Sequence, residues 1–327
     1  MATAYNKTQR TDELCKSLRN IFITGASGCI GHYVIEALLS EPDLHLYLLI
    51  RNRGKLLLHW TDIQGGRVTL VDGDMLTIEK HEPLLKQMDM VIHLAAAWGG
   101  DDVARAVNVT KTLELFNLLD RDRCQKILYF STASLLDRDN RPVEVASEAG
   151  TAYIRTKFEM LMRRGQIKLR DRTITIFPTL VFGGDEFHPY SHISSGLTDI
   201  TRWIFLIRFF KAEGSFHFLH AFDIAQVTRH LLMSLVQTGD WVLGNPELHV
   251  NDCIEQISHY YDKPVYFRIP LPVRFARKVA PYFGARLSPW DDYCIEHRYF
   301  THKVVNPSTF QVPTQFPDVN SILKKYG

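Results

Sequence analysis

One stretch limits what this chain can become: Asn20-Ile-Phe-Ile-Thr24, followed by Gly25-Ala-Ser-Gly28-Cys-Ile-Gly31. An apolar run of strand length enters a glycine-punctuated turn. The turn then opens into a helical pattern, His32-Tyr-Val-Ile-Glu-Ala-Leu-Leu39. A βαβ unit that binds a dinucleotide needs this order. Gly25 lets the chain turn sharply, and Gly28 admits a pyrophosphate with no Cβ in the way. Gly31 lets the helix lie close to the sheet. The helix start offers unpaired N–H groups and the positive end of its dipole to phosphate. Ser27, Cys29 and Ile30 share this loop and join the glycines as candidate cofactor contacts. A thiolate would be favoured at the Cys29 position, but a small residue filling a tight turn is the simpler reading.

Apolar runs then alternate with helical patterns along the chain. His45–Ile50 reads as a strand buried on both faces, and Arg67–Val71, Asp89–Leu94, Lys126–Phe130 and Thr173–Phe177 follow it. An acidic residue after the second strand would accept hydrogen bonds from a ribose. This chain has Arg51-Asn-Arg53-Gly-Lys55 there instead. A guanidinium fork suits a doubly charged 2′-phosphate, so Arg51 and Arg53 favour NADP, with NAD as the alternative. A short acidic loop, Asp72-Gly-Asp74-Met75, ends the third strand on the ligand side. Asp74 is also placed to cap the next helix. Tyr153 and Lys157, at i and i+4, share one helical face after a hydroxyl-rich strand end, Ser131-Thr132-Ala-Ser134.

The chain has 327 residues, 46% apolar and 23% charged, with a net charge of +2. That charge gives no electrostatic reason to expect a nucleic-acid partner. Five scattered cysteines, without C-x-x-C or zinc spacing, suggest reduced thiols and a cytoplasmic location. Residues 1–18 are polar and resemble neither a signal peptide nor a membrane span. The pairs His188/His192 and His217/His220 lack the setting of a metal site, so no metal is expected. Trp203–Phe210 and Leu271–Lys278 interleave charged and apolar residues. Burial as domain-covering helices is the favoured reading, and contact with a membrane surface is the other.

The spacing T-G-x-x-G-x-x-G, with the ordered Ser/Thr, Tyr and Lys, resembles the short-chain dehydrogenase/reductase superfamily. The later stretches resemble its extended, epimerase/dehydratase-like branch. The resemblance implies an α/β fold: a doubly wound parallel Rossmann sheet with a smaller, mainly helical C-terminal substrate domain. Residues 1–19 would be an N-terminal extension. Residues 20–183 and 221–243 would bind the dinucleotide, and 184–220 with 244–327 the substrate. The resemblance further implies that Asp74 and the Met75 backbone meet adenine and that Leu94, Ala95 and Ala96 line the cofactor. Asn108 would be a structural and proton-relay residue, although Lys111 replaces a usual glycine beside it. Pro178, Thr179 and Leu180 would also contact the cofactor, although Phe177 stands where arginine is usual. Aligning Leu135-Leu-Asp137 with the family's V-Y-G makes Thr132 the catalytic hydroxyl, with Ser131 and Ser134 as alternatives.

The chemistry expected is hydride transfer between a nicotinamide and a carbonyl or secondary alcohol. Tyr153 would move the proton, its pKa lowered by the Lys157 ammonium together with the positive nicotinamide. Ala133-Ser134 replaces the Asp-Glu pair of sugar-nucleotide dehydratases, which argues against elimination. Ile154-Arg-Thr156 between Tyr and Lys is closer to hydroxysteroid dehydrogenases and carbonyl reductases, and the aromatic residues 203–218 suit an apolar small molecule. The alternatives are a nucleotide-sugar epimerase with tightly held NAD, and a non-catalytic NADP-binding scaffold or assembly factor. The resemblance leaves a homodimer as an option.

Overall fold

A computed structural model describes residues 18–57, 66–270 and 288–326. Its centre is a seven-stranded sheet. The strands are β1 (Arg19–Thr24), β2 (Leu44–Ile50), β3 (Val68–Asp72), β4 (Met90–His93), β5 (Lys126–Phe130), β6 (Thr173–Pro178) and β7 (Gly239–Leu243). Across the sheet their order is β7-β6-β5-β4-β1-β2-β3, and every neighbouring pair is parallel. Each expected strand is present within a residue or two of its sequence limits.

The pleat sends alternate residues to opposite faces. Ile21 and Ile23 join one core layer with Leu46, Leu48 and Leu128. Phe22 joins the other with Leu49, Ile127 and Tyr129. On the first face lie α1 (Cys29–Leu39) and the later helix Ala221–Met233. On the second lies a helical run: α2 (Asp101–Arg105), a π-helical segment (Ala106–Lys111) and α3 (Thr112–Asn117). The helix α4 (Ala152–Met162) packs against this run. Lys111, where the family usually has glycine, lies at the end of the π segment. Its ammonium reaches Glu79 at 2.6 Å and Glu114 at 2.8 Å, so the side chain is taken up by a surface ion cluster.

Strand order reverses between β1 and β4. In a sheet of this kind the crevice beyond the carboxyl ends of those two strands is the ligand position. Thr24 of β1 and His93 of β4 are register partners there. Gly25 and Leu94 follow them directly.

The stretch 184–220 lacks regular α/β alternation but does contain α5 (His192–Ile207), and α6 (Ala221–Met233) follows it. The short strands Leu180–Phe182 and Phe218–His220 pair in parallel. The C-terminal part carries α7 (Val250–Tyr260), α8 (Pro289–Glu296) and α9 (Val319–Tyr326). Ile204, Phe218, Ile257, Phe316, Ile322 and Leu323 form a separate core cluster there.

Two buried charges tie the parts together. Lys126 Nζ donates to the carbonyls of Leu231, Leu232 and Ser234 at 2.9, 3.0 and 2.6 Å, capping α6. Asp223, on α6, accepts from the backbone N–H groups of Gln315 and Phe316 at 2.8 and 2.9 Å. A third tie joins α1 to the loop after β6. His188 stacks on Tyr33 and bonds Asp185 at 2.6 Å and Glu36 at 3.0 Å. Lys325 reaches Asp185 at 2.8 Å.

Removing the Lys126 ammonium leaves three buried carbonyls without that donor. Lys126→Met is expected to lower stability by about 3 kcal/mol in urea unfolding. The His188 tie gives a pH signature. Burial opposes its proton, but Glu36 and Asp185 outweigh burial and raise its pKa above 6.5. The stabilisation is therefore full below the unfolded value and fades as pH rises through the folded one. The melting-temperature gap between the natural protein and His188→Gln is expected to be wider at about pH 6 than at about pH 9.

Candidate nicotinamide-cofactor site

Gly25 has φ +73°, a conformation that L side chains rarely adopt. A Cβ there would lie 2.6 Å from the Ala95 nitrogen and 2.7 Å from the Leu94 carbonyl carbon. The glycine is thus required for the first turn to pack on the end of β4. Gly31 is required for a different reason than expected. A Cβ there would strike the carbonyl oxygen of Gly25, so it permits packing of α1 on its own entry turn rather than on the sheet. Gly28 is the exposed N-cap of α1, in extended conformation, and no side chain caps the helix. The helix's own ladder begins with the bond from His32 N–H to the Gly28 carbonyl. The N–H groups of Cys29, Ile30 and Gly31 precede it, which is the arrangement a pyrophosphate needs. Cys29 is not activated. Burial, with help from Asp185, pushes its thiol up to about 12.

Arg51 and Arg53 lie beyond β2, facing the end of β3. Arg53 makes a bidentate contact with Asp72 at 2.8 and 2.6 Å, and Arg51 lies 3.5 Å from Asp74. Asp74 also accepts from Leu76 N–H at 2.9 Å and caps the turn that follows. Met75 is buried in the second core layer.

The end of β4 is held by a buried chain. Ala95 N–H donates to Thr24 Oγ1 at 3.3 Å, and Thr24 Oγ1 meets His93 Nδ1 at 2.7 Å. His93 Nε2 meets Thr112 Oγ1 at 2.8 Å, and that hydroxyl donates to the Val107 carbonyl at 2.9 Å. With the Thr112 proton committed, His93 Nε2 is the donor and Nδ1 accepts from Thr24. Asn108 clamps the next residues. Its Oδ1 accepts from Ala97 N–H, and its Nδ2 donates to the Ala97 carbonyl, both at 2.8 Å. Nδ2 also donates to Thr156 Oγ1 at 2.9 Å. Asn108 therefore joins the loop after β4 to α4.

Tyr153 and Lys157 lie one turn apart on α4, both buried. Lys157 Nζ donates to the Phe130 carbonyl at the end of β5 at 2.8 Å and lies 3.5 Å from the Tyr129 hydroxyl. Its distance to the Tyr153 ring centre is 5.9 Å. Burial without a carboxylate partner lowers its pKa to about 7. Burial also drives the Tyr153 phenol well above its ordinary value. Desolvation is the larger effect because Lys157 is turned to Phe130 and is itself poorly charged. Thr132 caps the turn after β5. Its Oγ1 accepts from Ser134 N–H and donates to Ser134 Oγ, both at 3.3 Å. Ser131 Oγ is buried beside the Tyr129 hydroxyl.

Tyr153 belongs to a buried apolar cluster with Leu135, Leu136, Ile154, Phe177 and Val242, and with Trp290 from α8. Phe177, at the family's arginine position, belongs to this cluster. Sequence reading missed Trp98. Its indole stacks on the Tyr153 phenol, with centroids 3.9 Å apart and planes within 7°. The only hint in the sequence was a large aromatic residue beside Gly99-Gly100.

Other candidates are engaged in the structure. Thr179 Oγ1 donates to the Leu243 carbonyl at 2.8 Å, joining β6 to β7. Pro178 is buried at the end of β6, and Leu180 is exposed. Ser27 is half-buried on the loop, and Ala96 packs partly against the Tyr153 cluster. His217 Nδ1 donates to the Asn245 carbonyl, leaving Nε2 to accept from His302 N–H, and His220 Nδ1 accepts from Phe222 N–H. Burial as a domain-covering helix holds for Ile204 but not for its neighbours: Trp203, Phe205 and Leu206 are exposed, because their side of the helix end faces away from the core. Leu271–Lys278 lies outside the described residues. Among the described residues no helix is long and apolar enough to cross a membrane. Open clefts of about 480 and 550 Å³ lie beside Asp101–Arg155 and beside Tyr33–Phe316, and neither is lined by Thr132, Tyr153 or Lys157.

Known proteins share this fold. Among curated relatives, a 2-alkyl-3-oxoalkanoate reductase of Shewanella oneidensis is 23% identical over 54% of this chain and 48% of its own length. A nonribosomal peptide synthetase-like enzyme of Aspergillus fumigatus is 24% identical over 66% of this chain and 17% of its own length. The chain thus spans about half or less of these relatives. The terminal R domain of the myxalamid PKS-NRPS pathway superposes with a TM-score of 0.68 at 19% identity, covering 95% of this chain and 90% of that one. UDP-glucuronic acid 4-epimerase from Bacillus cereus, in complex with NAD, gives 0.59 at 18% identity, covering 77% and 87%. Residues 21–244 match the model of the NAD dependent epimerase/dehydratase family, and the chain belongs to that family.

Proposed function

We propose that this chain is an NADP-dependent reductase or dehydrogenase acting on a carbonyl or secondary alcohol of a small apolar molecule. The observation that carries the reading is the placement of Tyr153 and Lys157. They are buried together at the carboxyl end of β5, beside the Thr132 turn, in an apolar cluster that includes Phe177 and Trp290. In this reading residues 20–183 and 221–243 serve the cofactor, and 184–220 with 244–327 the substrate. The reductase relative and the R domain support the reaction class by likeness only.

When bound, the nicotinamide supplies or accepts the hydride and carries positive charge in its oxidised form. The N–H groups at the start of α1 hold the pyrophosphate, and Arg51 and Arg53 hold the 2′-phosphate. Asp72 competes for Arg53, but both side chains are largely exposed. An exposed ion pair is weak, so a doubly charged phosphate displaces it. Lys157, fixed by the Phe130 carbonyl, directs its remaining protons to the nicotinamide ribose. Thr132 holds the substrate oxygen, and Tyr153 gives or takes the proton at its phenol oxygen. Asn108 positions α4 by tying Thr156 to Ala97. The pairing of Arg53 with Asp72 favours a second reading, a nucleotide-sugar epimerase with tightly held NAD.

Tyr153→Phe is expected to reduce turnover at least about a hundredfold while NADPH affinity changes less than about threefold. Single-turnover kinetics and calorimetry measure the two, and full activity in the variant would sink the mechanism. Replacing Arg51 and Arg53 with alanine is expected to weaken NADPH about tenfold or more and to leave NADH nearly unchanged. Equal loss for both cofactors, or NAD retained through purification, would favour the epimerase.

A further inference from the structure

The exposed end of α5 has no part in cofactor binding or in the proton and hydride steps. Ile204 is the side chain of its last turns that enters the C-terminal core cluster. At about 3.6 residues per turn, Arg202 and Leu206 point away from Ile204, and Trp203 and Phe205 flank it. A surface helix ordinarily places polar residues on those sides. Here Trp203 is 46% exposed, Phe205 52% and Leu206 41%. Apolar residues exposed singly are ordinary, but a contiguous group marks a contact surface.

The group extends past the helix. Phe209 stacks on Phe267, with centroids 4.9 Å apart and planes within 18°. Ile269 N–H donates to the Phe209 carbonyl at 2.7 Å, and Phe210–Lys211 pairs with Ile269–Pro270 as two short parallel strands. Tyr266, Phe267 and Ile269 are exposed like the helix end, Tyr266 at 80%. The charge of these stretches is one-sided. Residues 202–211 and 266–270 contain Arg202, Arg208, Lys211 and Arg268 and no carboxylate. Arg208 lies over the Phe209 ring at 4.6 Å, and Arg268 pairs with Glu255 of α7 at 3.2 Å. Arg202 and Lys211 are exposed.

We propose that this surface docks the protein on a bilayer that carries anionic phospholipid. Trp and Tyr settle at the water–lipid boundary, where an apolar body and a polar tip are both satisfied. Arg and Lys lay their stems along apolar surface and keep their charges at the headgroup phosphates. The end of α5 and the strand beside it present both kinds of residue together. A twofold contact with a second copy of the chain would set the same cations against each other. A small soluble ligand needs a concave site, and none of these residues lines either of the two open clefts. The association is peripheral, since among the described residues no helix is long and apolar enough to cross a membrane. It does not depend on the reductase reading.

The test sediments the full chain with vesicles of phosphatidylcholine alone and of phosphatidylcholine with about 30% phosphatidylglycerol. Binding to the anionic vesicles is expected to be about tenfold tighter or more, and to weaken about tenfold when salt is raised from about 0.05 M to about 0.5 M. Replacing both Trp203 and Phe205 with serine is expected to reduce binding about tenfold or more. Arg202→Gln with Lys211→Gln is expected to remove most of the preference for anionic lipid, and both double variants to keep the melting temperature. If the serine variant misfolds, fluorescence decides. Brominated lipid is expected to quench the natural protein, and Trp203→Phe to remove most of that quenching while still binding vesicles. Absence of binding, or equal binding to both vesicles, overturns the proposal, as does binding that survives the paired substitutions or quenching unchanged in Trp203→Phe. A dimer in light scattering that the serine variant dissociates also overturns it and assigns the surface to a second copy.

Discussion

The close approach of Gly25 to the end of β4 is the constraint on which the rest of the site depends. Two backbones meet where the strand order reverses, and no side chain fits between them. That contact brings the start of α1 and the Ala95–Ala97 stretch to the same crevice. The Thr24–His93–Thr112 chain then fixes the end of β4 in place, and Asn108 extends the fixation through Ala97 and Thr156 to α4. The candidate acid/base residue is thereby positioned relative to the glycine turn by two sets of buried hydrogen bonds joined through the backbone. Buried networks of this kind are costly to break, because each released group is left without water.

The electrostatics of the proposed centre follow from burial rather than from pairing. Lys157 and Tyr153 have no carboxylate at hand, so both are pushed toward their neutral forms. A positive nicotinamide would act in the opposite direction on the phenol. The site is thus suited to a proton transfer coupled to ligand binding. The apolar cluster around Phe177 and Trp290 supplies the low dielectric that makes such coupling strong.

Much of this was legible along the chain. The strands were readable because buried parallel strands are continuous apolar runs. The glycines were readable because few other residues tolerate the first turn. Asp74 was readable as a cap. Other features were not, because they arise from distant residues meeting. The pairing of Arg53 with Asp72 crosses from β2 to β3, and the burial that raises the Tyr153 pKa exists only in the packed core. Exposure of Trp203, Phe205 and Leu206 likewise depends on which side of the end of α5 faces its neighbours. The stack of Trp98 on Tyr153 joins residues 55 positions apart through two separate elements.

By itself the sequence determined the order of elements, the parallel sheet and the residue types available to a nicotinamide site, because backbone period and glycine geometry are local properties. The tertiary structure alone decided that Asn108 is a clamp, that Lys157 faces Phe130 and that Trp98 covers Tyr153. Each of these depends on distances between segments remote in sequence, and such distances exist only once the sheet has brought those segments together.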